Sequence, residues 1–282
     1  MKQGHTDEKL TLLGIFAHPH DCVHALGTCG QHIKAGDSVV IVILTDGAST
    51  HNERLWEELQ KPPEDQDPEI IHESPKAYAE QKAQEVRKAC GYFGVTDVRI
   101  LGYEDRPLQR TDELVEHLAN LICEIRPEIL IGELPESLRE DRLWITPNDH
   151  TTCAALVHEA ASTANHAKPH SKRIPHAIAR TYYLATEKSY DAVDVYVDIS
   201  DQYENRYQAE MCFLSQGHTP KFAKARMERS IGNYGLRAHV GYAETFVRGN
   251  MEVATHLLVT DRDLRMARGS IMRLFTEALP DQ

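Results

Sequence analysis

The residues best suited to chemistry in this sequence stand together in one short stretch. His18, His20 and Asp21 lie within four residues, directly after the apolar run at 12–17. Such a run predicts a buried strand, and Pro19, which lacks a backbone N–H, ends the strand's hydrogen-bond ladder. Imidazole and carboxylate are ligands for Zn²⁺, and a catalytic zinc site uses three protein ligands with one position left open. The stretch therefore predicts part of a metal site at the carboxyl end of a strand.

A second pair of candidate ligands occurs more than a hundred residues later in the chain. Asp149 and His150 stand at the start of a predicted helix, after a predicted strand at 128–132. In open α/β sheets, ligands bind outside the carboxyl ends of the strands, so we expect the two groups to meet there. For Asp149 two roles stay open at this point, because an Asp at a helix start either orients a ligand or only caps the helix.

The elements that must position these residues alternate between strand and helix. The sequence predicts strands at 11–17, 38–44, 98–101 and 128–132, separated by helices at 22–35, 76–90 and 111–125. Residues 49–75 form a long polar excursion with a short helix near 54–59. Alternation of this kind is typical of a parallel sheet covered by helices on both faces. We therefore expect an α/β fold, Rossmann-like, with three α/β/α layers and a mainly parallel sheet.

The second half of the chain is predicted in less detail. A helix is expected from 150 to about 164, followed by strands at 182–185 and 193–199, a helix over 201–216 and a final helix near 260–277. The strand at 193–199 alternates polar and apolar residues, which predicts a half-exposed or edge strand. Residues 217–250 are left unassigned. We expect one domain over 1–282, with a core at about 10–200 and C-terminal additions at about 201–282.

Composition excludes several classes of function. The net charge of −12 argues against nucleic acid or an anionic membrane as the main partner. We expect no membrane span, because no apolar stretch is long enough, and no secretory leader, because the N-terminus lacks an apolar core. The six cysteines are scattered without a CxxC pair, which favours free thiols in a reducing compartment. A cytoplasmic location is the expectation that follows.

Taken in order, these motifs resemble the LmbE-like, or PIG-L, family of zinc-dependent N-acetylglucosaminyl deacetylases. The resemblance covers most of the chain. The family's Ala-His-Pro-Asp-Asp-Glu resembles residues 17–22, its Leu-Thr-Asp-Gly resembles 44–47, and its Leu-Gly-Tyr-x-Asp is matched at 101–105. Its His-x-Asp-His is partly matched at 147–150, and its Tyr-Ala-Glu-x-Phe is matched at 242–246.

The resemblance implies a metal site, a substrate and a reaction. His18, Asp21 and His150 match the family's metal ligands, with zinc as the expected ion and another divalent metal as the alternative. Lys82 and Asp105 fall near positions that contact the sugar substrate. The implied enzyme is a zinc-dependent N-deacetylase or amidohydrolase. It would remove the acetyl group of an amino sugar, or of a similar small amide, through a zinc-activated water. The implied partner is a small sugar-like molecule, and a homo-oligomer is expected because the family often forms oligomers.

Three positions depart from the family's pattern. His20 stands where the family has its carboxylate base, Cys22 replaces a Glu, and Pro147 replaces the His that assists the reaction as an acid. We predict His20 and Asp149 as the catalytic residues, with His20 as the proton acceptor, since a neutral imidazole can take a proton near neutral pH. Two other roles for His20 stay open: an additional metal ligand, or a position that has lost its role.

Two other functions compete with deacetylation. The first is a relative that binds a metal or a sugar without catalysis, in which His20 and Pro147 mark the loss of the base and the acid. The second is a metallohydrolase that acts on a different amide, an ester or a carbamate. The fold alone does not decide between these functions.

Overall fold

A computed structural model describes residues 8–135, 148–169, 173–186, 192–255, 257–270 and 272. Pro147 and the last part of the predicted final helix, residues 273–277, lie outside these ranges. Every helix within them is too short or too polar to cross a membrane.

A seven-stranded sheet forms the centre of the described fold. Its strands are β1 (Thr11–Phe16), β2 (Ser38–Thr45), β3 (Asp97–Tyr103), β4 (Ile129–Gly132), β5 (Arg180–Leu184), β6 (Val195–Asp198) and β7 (Ala243–Arg248). They are arranged in the order β3-β2-β1-β4-β5-β7-β6. The first five are parallel to one another, whereas β7 runs antiparallel to both β5 and β6. The predicted α/β fold with a mainly parallel sheet is confirmed.

Helices cover both faces of this sheet. They are α1 (Leu26–Ala35), α2 (Glu53–Leu59), α3 (Pro68–Ile71), α4 (Pro75–Gly91), α5 (Asp112–Ile125), α6 (Asp149–Ala164), α7 (Tyr203–Glu210), α8 (Pro220–Arg226), α9 (Gly232–Ala238) and α10 (Asp261–Arg268). The predicted short helix near 54–59 corresponds to α2. Gly36 ends α1 in the left-handed conformation, with a φ of 86°, which a glycine adopts without steric cost.

The side chains of β1 pack alternately into two separate hydrophobic cores, one on each face of the sheet. Leu12 and Phe16 pack on one face, with side chains of α1 and α4, while Leu13 and Ile15 pack on the other, with side chains of α5 and α6. All four are fully buried. Burial on both faces is the reason that β1 reads as a continuous apolar run, without alternation.

The position of β1 at the centre of the parallel strands sets the location of the candidate site. It pairs with β2 on one side and with β4 on the other, and Ile15 is in register with Val42 and with Gly132. The carboxyl ends of β1, β2 and β4 therefore lie side by side at the same end of the parallel strands. The loops that leave these strands, and the start of α6, converge there.

The C-terminal part of the chain differs from the predictions. The helix predicted over 201–216 ends at Glu210, and only a short 3₁₀ turn, Leu214–Gln216, follows it. The unassigned region 217–250 contains α8, α9 and β7. One strand from the region predicted as C-terminal additions, β7, lies between β5 and β6 in the sheet. As the sequence alternation predicted, β6 is an edge strand.

Candidate active site

A tight turn after β1 brings His18 and Asp21 together. The backbone N–H of His18 donates to Asp21 Oδ2 at 2.7 Å, and the N–H of Asp21 donates to the His18 carbonyl at 3.1 Å. The His18 Nδ1 atom lies 3.2 Å from Asp21 Oδ2. Both side chains are largely buried, so the turn holds a carboxylate and an imidazole at the carboxyl end of the central strand.

The first turn of α6 adds His150 to this pair. Asn148 caps the helix, since its side chain accepts from the Thr151 N–H, and the Thr151 hydroxyl interacts with the Asn148 N–H in return. This cap fixes the direction in which α6 begins. His150 Nδ1 then lies 3.6 Å from Asp21 Oδ2, and the His150 ring stands edge-on to that of His18, with centroids 5.1 Å apart.

We call His18, Asp21 and His150 the first cluster. Each of them offers a ligand atom, and these atoms all lie within 4.8 Å of one another. Two imidazoles and one carboxylate form a donor set that suits Zn²⁺ and related divalent ions. The residues therefore fit the metal that the family resemblance implies, and the structure brings together the three ligands predicted from the sequence.

Asp149 orients one of these ligands. Its Oδ2 atom lies 3.0 Å from His18 Nε2 and also accepts from the backbone N–H of Arg106 at 2.9 Å. Its Oδ1 atom accepts from the N–H of Leu108 at 2.9 Å. A carboxylate on one ring nitrogen leaves the other, His18 Nδ1, directed at Asp21 and available to a metal. Asn148, the preceding residue, is the helix cap, so the contacts of Asp149 correspond to the orienting alternative, and its part in catalysis stays a prediction.

Buried charges make the first cluster attractive to a cation. Burial alone would lower the pKa of His18, but Asp21 and Asp149 raise it to about 9. Burial would raise the pKa of Asp21 and of Asp149, but hydrogen bonds and the neighbouring imidazoles hold both well below their usual range. The two carboxylates are therefore ionised, and a positive charge between them is favoured.

Glu133 is a further member of this site and is not among the residues predicted from the sequence. It follows β4 directly and is buried. Its Oε1 atom lies 3.4 Å from His150 Nδ1 and accepts from the Ala17 N–H at 3.5 Å. Burial raises its pKa. The signal that identifies it is its position: it is the first residue after β4, the neighbour of β1 in the sheet.

The structure places the predicted substrate-binding residues against the loop that follows β2. The Lys82 ammonium donates to the carbonyls of Gly47, at 2.8 Å, and of Thr50. Asp105 accepts from the Ser49 N–H, at 2.9 Å, and from the Thr50 hydroxyl. Both side chains are buried, and burial lowers the pKa of Lys82 to about 8. Their observed contacts shape the loop, while contact with a substrate stays a prediction.

His20 does not join the first cluster. Its Nε2 atom lies 3.4 Å from Glu210 Oε2, and its ring stands edge-on to Phe213, His218 and His24, with centroids 4.7, 4.8 and 5.7 Å away. Burial lowers its pKa to about 4. The turn after β1 therefore sends His18 and Asp21 into one group of side chains and His20 into another. Neither Glu210 nor His218 was predicted from the sequence.

Glu244, in the motif at 242–246, supports the helix that follows this turn. Its carboxylate accepts from the N–H groups of Gly27 and Thr28, at 2.8 and 2.7 Å, and from the Thr28 hydroxyl at 2.7 Å. These donors belong to the first turn of α1, where a negative charge is stabilising. Glu244 therefore braces the start of α1.

Part of this sequence matches a known protein family and a known deacetylase. The family model PIG-L, described as GlcNAc-PI de-N-acetylase, matches residues 13–161, just over half of the chain. A 1D-myo-inositol 2-acetamido-2-deoxy-alpha-D-glucopyranoside deacetylase 2 from Catenulispora acidiphila is 28% identical over an alignment of 212 residues, and the match covers 64% of this chain and 62% of that protein. The chain therefore aligns with less than two thirds of that relative's length.

Solved structures share the fold. The 4-carboxy-2-hydroxymuconate hydratase GalB from Pseudomonas putida superposes with a TM-score of 0.71 at 19% identity, over 89% of this chain and 100% of that one. The N,N'-diacetylchitobiose deacetylase from Pyrococcus horikoshii gives a TM-score of 0.67 at 20% identity, over 86% and 84% of the two chains. The family match contains His18, Asp21, Asp149 and His150, and on that match the chain belongs to the PIG-L family.

Proposed function

We propose that this protein is a metal-dependent N-deacetylase that acts on an N-acetyl amino sugar or a similar small amide. The observation that carries the proposal is the convergence of His18, Asp21 and His150, with Asp149 on the far nitrogen of His18. Membership of the PIG-L family supports the reaction. The deacetylase from Catenulispora acidiphila supports an amino-sugar substrate, since its name gives a 2-acetamido-2-deoxyglucose glycoside.

His18, Asp21 and His150 would hold the metal in this enzyme. When bound, a divalent ion, with Zn²⁺ as the expected one, supplies the charge that polarises an amide carbonyl and acidifies a water molecule. His18 would hold the ion through Nδ1, since Asp149 occupies its Nε2. Three protein ligands leave the remaining positions open to the substrate, as in other catalytic sites.

Asp149 is the positioning residue of this site. Its two backbone hydrogen bonds, from Arg106 and Leu108, fix its carboxylate against the loop after β3, and the carboxylate fixes the His18 ring. Second-sphere carboxylates of this kind set the tautomer of the histidine and its orientation. In the proposed enzyme, Asp149 therefore acts on the reaction through His18.

The assignment of His20 as the proton acceptor stays a prediction. Its Nε2 faces Glu210, and the carboxylate holds the ring in one orientation. The lowered pKa, about 4, keeps the ring neutral at pH 7 but makes it a weaker base than an exposed histidine. A His20→Ala variant that retains its metal and loses turnover would support the assignment.

Lys82 and Asp105 act on the substrate through the loop that they hold, in this proposal. Both bind residues 47–50, which leave β2 at the edge of the sheet that carries the first cluster. Substitution of either residue is expected to change KM through this loop.

A non-catalytic relative that binds a metal or a sugar is the second candidate function. The observation that favours it is the position of His20, whose side chain lies on Glu210 and not among the three first-cluster ligands.

The test is release of a primary amine from N-acetyl sugars by the purified protein. N-acetylglucosamine and its myo-inositol glycoside are incubated with protein stripped by a chelator and with protein reloaded with Zn²⁺, Co²⁺ or Mn²⁺. We expect amine release only from reloaded protein. Folded, metal-loaded protein that releases no amine from either sugar with any of these ions would overturn the deacetylase proposal and favour the non-catalytic alternative.

A further inference from the structure

His20, Glu210 and His218 form a second group of metal-ligand side chains, which we call the second cluster. His20 comes from the turn after β1, Glu210 is the last residue of α7, and His218 precedes α8. Their side chains are 13%, 0% and 7% exposed. Each offers a ligand atom, and these atoms all lie within 4.8 Å of one another. His20 is 190 residues away from Glu210 in the sequence, so the fold, not the local sequence, brings it to the other two.

We propose that the second cluster binds a second divalent metal ion, of the kind that takes imidazole and carboxylate ligands, such as Zn²⁺. The donor set, two imidazoles and one carboxylate, is the same as that of the first cluster. The protein would then carry two metal ions, one on each side of the turn at residues 18–21.

The spacing of the donor atoms supports an ion between them. His20 Nε2 lies 3.4 Å from Glu210 Oε2, whereas a charge-assisted N–H···O bond is ordinarily about 2.7–2.9 Å long. Two ligands bound to one zinc at about 2.0–2.2 Å in tetrahedral geometry stand about 3.4 Å apart. In the first cluster, the corresponding distances from Asp21 Oδ2 to the His18 and His150 rings are 3.2 and 3.6 Å. The two clusters therefore have similar spacing.

The ligands of the second cluster are held in place by neighbouring groups. His218 Nδ1 donates to the Glu210 backbone carbonyl at 2.8 Å, which fixes the orientation of the ring and leaves Nε2 as its nitrogen for a metal. Glu210 Oε1 accepts from Arg206 at 2.7 Å and lies 3.3 Å from Arg226 Nε. The two oxygens of the Glu210 carboxylate therefore have different partners. Oε1 contacts the two guanidinium groups, and Oε2 faces the imidazoles of His20 and His218. Such outer contacts orient the ligands of protein metal sites.

The neighbouring guanidinium groups affect the metal affinity that we expect of the second cluster. Arg206 and Arg226 bring two positive charges to Glu210, and Glu244, 3.9 Å from Arg206, is the next carboxylate. The first cluster instead has carboxylates as neighbours. Because like charges repel a cation, we expect the second ion to bind more weakly than the first.

This assignment gives His20 a role that excludes that of proton acceptor. A neutral imidazole that binds a metal through one nitrogen carries its proton on the other and cannot take a second. The inference does not rest on the proposed function, because the number of bound ions is measured without a substrate. The two can therefore fail separately.

The test is the zinc content of tag-free protein, measured by elemental analysis against protein concentration, together with calorimetric zinc titration. We expect two equivalents in the wild type, the second at lower affinity, and one equivalent in His20→Ala and in His218→Ala. His72→Ala, a change at an exposed histidine outside both clusters, should retain two. His150→Ala should lose the tighter equivalent and retain the weaker one.

Circular dichroism and thermal unfolding of each metal-free variant establish that it is folded, and Glu210→Gln serves as a further variant with an unaltered side-chain shape. One equivalent in the wild type would overturn the second site. So would two equivalents in folded His218→Ala protein.

Discussion

The two clusters on either side of the turn at 18–21 have the same ligand types and opposite surroundings. The first cluster is flanked by Asp149 and Glu133, two further carboxylates. The second is flanked by Arg206 and Arg226, two guanidinium groups. Ligand type therefore does not determine what a group of side chains does. The neighbouring charges favour a cation at the first cluster and oppose one at the second.

The clusters differ also in how the chain assembles them. The first is built from the turn after β1 and the start of α6, at the carboxyl ends of the parallel strands, where α/β folds place their ligands. The second is built from the last residue of α7 and the segment before α8, in the C-terminal part of the chain. The first cluster lies within residues 13–161, which match the family, whereas the second takes Glu210 and His218 from outside that range.

The largest effect is expected from Asp21→Asn, which tests whether the first cluster is the tighter site. Asp21 is the carboxylate that both His18 and His150 face, and its replacement removes the charge at the centre of that cluster. We expect complete loss of the tighter metal equivalent and of amine release, with the weaker equivalent unchanged. Zinc titration and the amine assay measure this. A variant that still bound the tighter equivalent would show that the carboxylate is not a ligand.

The next largest effect is a loss of unfolding free energy when the buried ion pair beside the second cluster is broken. Glu210→Ala takes from Arg206, which is 1% exposed, the carboxylate at 2.7 Å and leaves it only the more distant Glu244, at 3.9 Å. Removing one partner of a buried pair costs about 3–5 kcal/mol of unfolding free energy. Urea unfolding of metal-free protein measures the loss independently of any bound ion.

A matched control for this variant is Lys34→Ala, which breaks an exposed pair with Asp201 at 2.8 Å. It should cost at most about 1 kcal/mol. Equal losses in the two variants would contradict the contrast between buried and exposed ion pairs.

A smaller effect is expected from Asp149→Asn, which keeps the shape of the side chain but weakens its hold on His18. Loss of a second-sphere carboxylate typically lowers metal affinity by about 10–100-fold. Competition with a chromophoric chelator measures this for the tighter equivalent. Asp112→Asn, an exposed change in the first turn of α5, is the control and should leave the affinity unchanged. If the two variants have the same affinity as the wild type, Asp149 has no orienting role.

The sequence predicts the parallel sheet and the residues that follow its strands. The apolar run before His18 predicts β1, and the alternation of elements through residue 132 predicts a parallel sheet, so His18, Asp21 and His150 can be brought together from the sequence. Glu133 follows from the same rule, because it is the first residue after β4.

The second cluster could not be predicted in this way. Glu210 ends a helix that the sequence pattern extends to 216, and no local signal ends α7 there. His218 lies in a region without periodic apolar residues, and the insertion of β7 between β5 and β6 depends on pairing between distant segments. Contacts such as that of His20 with Glu210 arise only when the C-terminal helices pack against the turn.

The most direct test of the account is anomalous diffraction from crystals of zinc-loaded protein, recorded at the zinc absorption edge. We predict a peak at about 2.0–2.2 Å from His18 Nδ1, from a carboxylate oxygen of Asp21 and from a ring nitrogen of His150. A weaker peak should lie among His20, Glu210 and His218. Zinc-loaded crystals with no peak at the first cluster would contradict the assignment of this site as the metal centre.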